Sequence, residues 1–214
     1  MTSSPTTDPG VGVGVGVGVV EIYVDPACPF AWAASRWLAG VAERRGVPAT
    51  WRPMSLAVLN EDREVGGAHA ERMTVSRRTG RLLAAAGDEA MRDLYFALGR
   101  RLHSEGRALS ASLVGEALQE CALPADLVAA MDDSSLDDVV RRAHRVSQEA
   151  LGGTGGSPIT VFDGRAYFGP VLTGIPGRDE ADRLFDALTT LAGTEAFAQV
   201  ERPRSGPPDL AEVA

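Results

Sequence analysis

Two kinds of hydrophobic pattern alternate along this chain, and the switch between them divides it. Val19-Val20-Glu21-Ile22-Tyr23-Val24 is dense in β-branched residues and reads as a strand, ended by Asp25-Pro26-Ala27. A helix then opens at Cys28-Pro29, where a proline's missing N–H does no harm. Trp32, Ala33, Trp37, Leu38 and Val41 recur at helical spacing on one face, and Gly46 and Pro48 stop the run. Thr50-Trp51-Arg52-Pro53-Met54 predicts a second strand, parallel to the first through the crossover helix. From about residue 68 to 151 the period is helical almost throughout. Candidate helices cover 68–86, 88–104, 110–121, 124–131 and 135–151, with Ser110 and Ser134 as N-caps.

Strand character returns at Pro158-Ile159-Thr160-Val161-Phe162. Asp163-Gly164 is a hairpin signal, and Arg165-Ala166-Tyr167-Phe168 is the return strand. Residues 178–192 predict a last amphipathic helix with Ala181, Leu184, Phe185 and Leu188 on one face. The order β-α-β, helical block, β-hairpin, α predicts an α/β chain with a thioredoxin-like fold, its two halves separated by an all-helical insertion. Residues 19–64 and 152–200 then form the thioredoxin-like domain, and 65–151 the insertion. Residues 1–18, which run into alternating Val and Gly, are expected to be a disordered tail. A phosphate-binding glycine loop would instead follow a strand and open a helix. Residues 201–214, rich in Pro and Gly, are expected to be loose.

Composition narrows the function. The formal charge is −8, so no basic field attracts nucleic acid or an anionic membrane surface. No apolar run reaches membrane-spanning length. All 21 basic residues counted as Lys or Arg are arginine, which excludes lysine-based chemistry such as a Schiff base. Two cysteines, Cys28 and Cys121, make no secreted disulfide framework. With no basic segment before an apolar stretch near residue 1, the expected compartment is the cytoplasm. His69, His103 and His144 lack metal-ligand spacing, and no metal site is expected.

Cys28 is the candidate nucleophile. It stands where a strand ends and a helix begins, and the first-turn N–H groups and the helix dipole favour a thiolate there, so a lowered thiol pKa is expected. Gly155-Gly156-Ser157-Pro158 is the second element: a cis proline opening a strand would present the Ser157 backbone to an extended thiol substrate. Asp25 is either a proton acceptor beside the thiol or a strand terminator, with the terminator slightly favoured.

The segments Asp25-Pro-Ala-Cys-Pro-Phe-Ala-Trp32, Ser35-Arg36-Trp37, Met54-Ser-Leu-Ala-Val-Leu-Asn-Glu61, Ser157-Pro-Ile-Thr160 and Phe168-Gly-Pro-Val171 resemble the DsbA-like family of mycothiol-dependent nitroreductases, over residues 20–200. The resemblance implies a cytoplasmic oxidoreductase that draws electrons from a low-molecular-weight thiol such as mycothiol as co-substrate, with no bound prosthetic group. It also implies a helical lid over Cys28. Its partners would be that thiol and a small-molecule or disulfide substrate, and a homodimer is among the expected states. Pro29, Phe30, Asn60, Ser157 and Pro158 become candidate substrate- or thiol-binding residues. One departure is decisive: the family pattern Cys-Pro-aromatic-Cys has Ala31 at its fourth position here. A monothiol cycle through a mixed disulfide is therefore expected, with Cys121 read as a core residue. The alternatives are a thiol-cofactor transferase or isomerase resembling kappa-class glutathione transferases, and a catalytically degenerate binding protein.

Overall fold

The computed structural model describes residues 18–64, 66–204 and 206–210, so the Val-Gly tail up to residue 17 lies outside the described residues. In β1 (Val20–Val24) the pleat sends Val20, Ile22 and Val24 to one side, where all three are buried. Tyr23 goes to the other side and packs with Met54 and Ile159. β1 pairs in parallel with β2 (Ala49–Pro53) and antiparallel with β3 (Ile159–Phe162), which pairs antiparallel with β4 (Arg165–Phe168). The spatial order is β2-β1-β3-β4, so the two sequence halves meet at the β1–β3 pair. The Asp163-Gly164 turn closes the hairpin with φ of 47° and 81°; a positive φ at both central residues is what the strand twist requires.

Helices cover both faces. α1 (Pro29–Arg45) packs on the Val20/Ile22/Val24 face and against α7 (Arg178–Gly193), where the Trp37 indole N–H donates to the Ala181 carbonyl at 3.0 Å. Leu151, the last residue of α6 (Asp137–Leu151), packs against the Tyr23/Met54/Ile159 cluster on the other face.

The insertion contains α3 (Gly67–Ala86), α4 (Met91–Gly99), a π turn over Arg100–Ser104, α5 (Ala111–Glu120), a 3₁₀ stretch over Ala125–Asp132 and a 3₁₀ turn over Ser134–Leu136 leading into α6. Three features differ from the sequence expectation. A short α2 (Leu56–Leu59), capped by Ser55, follows β2. Residues 125–132 tighten to 3₁₀ geometry, with Leu127 N–H donating to Pro124 C=O; only Met131 of that stretch is buried, so little apolar area is gained by the α spacing. The helix expected over 88–104 begins at Met91 and widens at its end, where Glu105 N–H reaches Arg100 C=O at 2.9 Å.

The end expected to be loose returns to the body. Asp209 N–H donates to Thr173 C=O at 2.8 Å, Pro208 is buried, and Leu210 packs on the core. No helix among the described residues is long and apolar enough to cross a membrane.

Candidate active site

Cys28 is the N-cap of α1. Its backbone is extended (φ −95°, ψ 111°), and its sulfur lies 3.5 Å from the Ala31 N–H, as a capping group should. The thiol also donates to the Ser157 carbonyl at 3.2 Å. The Ser157–Pro158 peptide is cis, and the Ser157 hydroxyl accepts from the Asp25 N–H at 3.0 Å. Cys28, Ser157 and Pro158 are thus brought together across the β1–β3 junction.

The other candidates fall differently. Pro29 takes the first helical position of α1. Phe30 is half-buried, with the Arg204 guanidinium 5.0 Å over its ring. Asn60 ends α2: its amide donates to Leu56 C=O at 2.8 Å and approaches Met73 Sδ at 3.7 Å, so its donors serve the local helix and α3. Cys121 is the half-buried C-cap of α5, and both cysteines are free. His69 is exposed.

Side chains of the insertion pack on Trp32 of α1 and reach the loop that carries Cys28. Trp32, 1% exposed, lies 5.6 Å from the Phe96 ring and 6.2 Å from those of Tyr95 and His103, and its indole N–H donates to Ser104 Oγ at 3.3 Å. Gly99 permits this approach: a Cβ there would stand 2.4 Å from Trp32 Cε3. From the π turn, His103 Nε2 lies 2.8 Å from Pro26 C=O, which makes that nitrogen the donor and ties the insertion to the cysteine loop. Burial pulls the His103 pKa down, opposed by this bond. Nothing in the sequence context of His103 marks this contact, because Pro26 lies 77 residues away along the chain.

The expectation of a depressed thiol pKa is overturned. Cys28 is 5% exposed, and its pKa is pushed up to about 11. Burial is the main cause and the Asp25 charge adds to it, while the N–H groups of Ala31 and Phe30 and the bond to Ser157 act the other way. The helix terminus is present as expected, but loss of water outweighs it. At neutral pH the resting site therefore holds a thiol. Iodoacetamide at pH 7.5 is expected to modify the half-buried Cys121 before Cys28; peptide mapping over time checks the order, and faster labelling of Cys28 would contradict the closed, protonated resting site.

Residues 27–202 match the family described as "Mycothiol-dependent nitroreductase Rv2466c". The uncharacterized protein Rv2286c of Mycobacterium tuberculosis is 30% identical over 202 residues, covering 91% of this chain and 86% of its own. Among solved structures, the probable DsbA oxidoreductase SCO1869 from Streptomyces coelicolor superposes with a TM-score of 0.54 at 21% identity, covering 92% of this chain and 99% of that one. A 2-hydroxychromene-2-carboxylate isomerase superposes with a TM-score of 0.56 at 16% identity, covering 82% and 95%. These two structures share the fold.

Proposed function

The chain belongs to the Rv2466c-like family of mycothiol-dependent nitroreductases and is a thiol-dependent oxidoreductase, and from that premise we propose that it works through a single thiol, Cys28. The Cys28 thiolate attacks one sulfur of an oxidised small thiol or disulfide substrate. A mixed disulfide forms and the other sulfur leaves as a thiolate, which takes up a proton. A second small thiol, as thiolate, then attacks the mixed disulfide on the substrate-derived sulfur. A new small disulfide forms and Cys28 is released. The bond count balances without a second protein cysteine or a prosthetic group. Mycothiol is the co-substrate the family name indicates, and a reducing cytoplasm is the compartment that would supply it.

The observation that carries this reading is the Cys28 sulfur at a helix N-terminus, 3.2 Å from the Ser157 carbonyl, with Ala31 where a resolving thiol would stand. Ser157 and Pro158 would offer the backbone edge against which a thiol substrate lies, with Pro29 and Phe30 in the first turn of α1 as the side chains to meet it there. Because Cys28 is 5% exposed, the insertion segments that carry Phe96 and His103 over Trp32 must shift to admit the thiol.

Treatment with oxidised mycothiol, followed by intact-mass analysis and peptide mapping, tests the reading. The expected result is one thiol adduct per chain on Cys28, stable until free small thiol is added. Ala31→Cys should shorten that adduct's lifetime by at least roughly tenfold, because an intramolecular thiol attacks at high effective concentration, and should leave an internal disulfide behind. A Cys28–Cys121 disulfide in the wild type would replace the monothiol cycle with a two-cysteine one.

A further inference from the structure

Asp25 is 0% exposed, yet its carboxylate is held by neutral donors. Oδ1 accepts from the Ala27 N–H at 2.7 Å; Oδ2 accepts from the Leu56 N–H at 2.6 Å and from the Ser76 hydroxyl at 2.5 Å. Its backbone belongs to the cysteine loop: the Asp25 carbonyl accepts from the Cys28 N–H at 3.0 Å, and the Asp25 N–H donates to the same Ser157 whose carbonyl takes the Cys28 thiol. One carboxylate therefore joins the nucleophile's loop, the start of α2 and, through Ser76, the long helix α3 of the insertion. Three hydrogen bonds on a carboxylate favour its charged form, while burial opposes that form, and burial is the larger influence, raising the Asp25 pKa. A charge in that balance is sensitive to the loss of one donor.

We propose that Asp25 is a positioning residue for the thiol, keeping Cys28 protonated while the insertion is seated and releasing it to ionise when Ser76 withdraws. The inference rests on Cys28 being the nucleophile. Two negative charges buried side by side are unfavourable, so the pair carries one. At rest it sits on Asp25. When α3 lifts, Ser76 withdraws and water enters; the water solvates the Asp25 carboxylate, which stays ionised, screens its charge from the thiol, and takes the proton that Cys28 gives up. The proton lost by Cys28 goes to solvent, and the thiolate appears as the substrate gains access.

The other titratable groups near the pair do not carry the charge at neutral pH. Tyr95 of α4, whose hydroxyl accepts from Ser35 at 3.2 Å, is held neutral by burial. His103 of the π turn is held neutral by burial, with the Arg72 charge acting in the same direction. The groups facing the pair from α2, α3 and the β3 entry are the hydroxyls of Ser55, Ser76 and Ser157.

The test is the pH dependence of iodoacetamide labelling at Cys28 in the full chain, mapped by mass, with folding checked by circular dichroism. Asp25→Asn should lower the labelling midpoint by about one pH unit, raising the rate at pH 7.5 about tenfold. Asp25→Glu, which keeps the charge, should hold the wild-type midpoint. Ser76→Ala should accelerate labelling in the same direction by a smaller factor, about twofold to threefold. An unmoved midpoint in Asp25→Asn overturns the proposal. So does an equal shift in Asp25→Glu, which would reduce Asp25 to a packing role. If Asp25→Asn does not fold, Ser76→Ala decides, and a wild-type rate there overturns the proposal. Wild-type Cys28 that forms no mixed disulfide would sink the thiol cycle itself; an adduct with a midpoint indifferent to Asp25 sinks this inference alone.

Discussion

Cys28→Ser is expected to abolish the mixed disulfide and to lower thiol-dependent reduction by a factor on the order of 10³ or more, since removal of a nucleophile removes the covalent route altogether. The serine hydroxyl can still cap α1 and reach the Ser157 carbonyl, so the fold should survive and the loss should be chemical. Cys121→Ser is the matched control: that residue ends α5 as a half-buried cap, and its replacement should leave both adduct and turnover in place. Turnover with a small thiol donor, alongside intact mass after oxidised-thiol treatment, reads both variants. Activity retained in Cys28→Ser, or lost in Cys121→Ser, would move the nucleophile away from α1.

Trp32→Ala should produce the largest loss of stability. The indole is 1% exposed and lies under Tyr95, Phe96 and His103, with Gly99 pressed against its edge. Deleting a buried indole costs about 3–5 kcal/mol, which corresponds to a Tm lower by roughly 10 °C for a chain of this size. The same cavity opens beside Cys28, so labelling of the thiol should accelerate while the protein is still folded. Trp32→Phe keeps most of the ring and loses the bond to Ser104, and should cost about a third as much. Urea denaturation and labelling at 25 °C measure both effects. A Trp32→Ala protein within about 1 kcal/mol of wild type, or one whose Cys28 is labelled no faster, would mean that the insertion does not hold the site shut.

The hydrophobic pattern carried the fold because each element's period is enforced by burial. Val20, Ile22 and Val24 must share a face, whereas the single apolar face expected of α1 is in fact burial round most of the helix, Trp32 against the insertion and Trp37 against α7. The Asp163-Gly164 turn was legible because its backbone needs residues that accept a positive φ. Local geometry set by neighbours was not. The 3₁₀ stretch at 125–132 and the π turn at Arg100–Ser104 follow from which residues find partners in space, and stretches of eight and five residues are too short for the different helical periods to show in the apolar pattern.

The site divides the same way. Cys28 and Ser157-Pro158 could be found from the strand-helix junction and the strand entry. The Ser76 hydroxyl on Asp25 and the His103 ring on Pro26 come from the insertion, and nothing in their own sequence context marks them. The helix terminus alone predicts a depressed Cys28 pKa, and the sign is reversed because exposure, which a sequence does not state, decides whether loss of water or the helix dipole dominates.

Cys28 and Ser157 touch although 129 residues separate them. A loop of that length costs about 4 kcal/mol in chain entropy to close, a cost met only once distant strands can pair. On a ribosome, β1 and α1 emerge long before β3 exists. Through that interval the cysteine has neither its carbonyl partner nor the insertion beside it, and its thiol ionises near the ordinary value of about 8.5. The nascent chain is thus more open to stray oxidants than the finished protein, and completing the fold is what takes this sulfur out of circulation until a substrate calls for it.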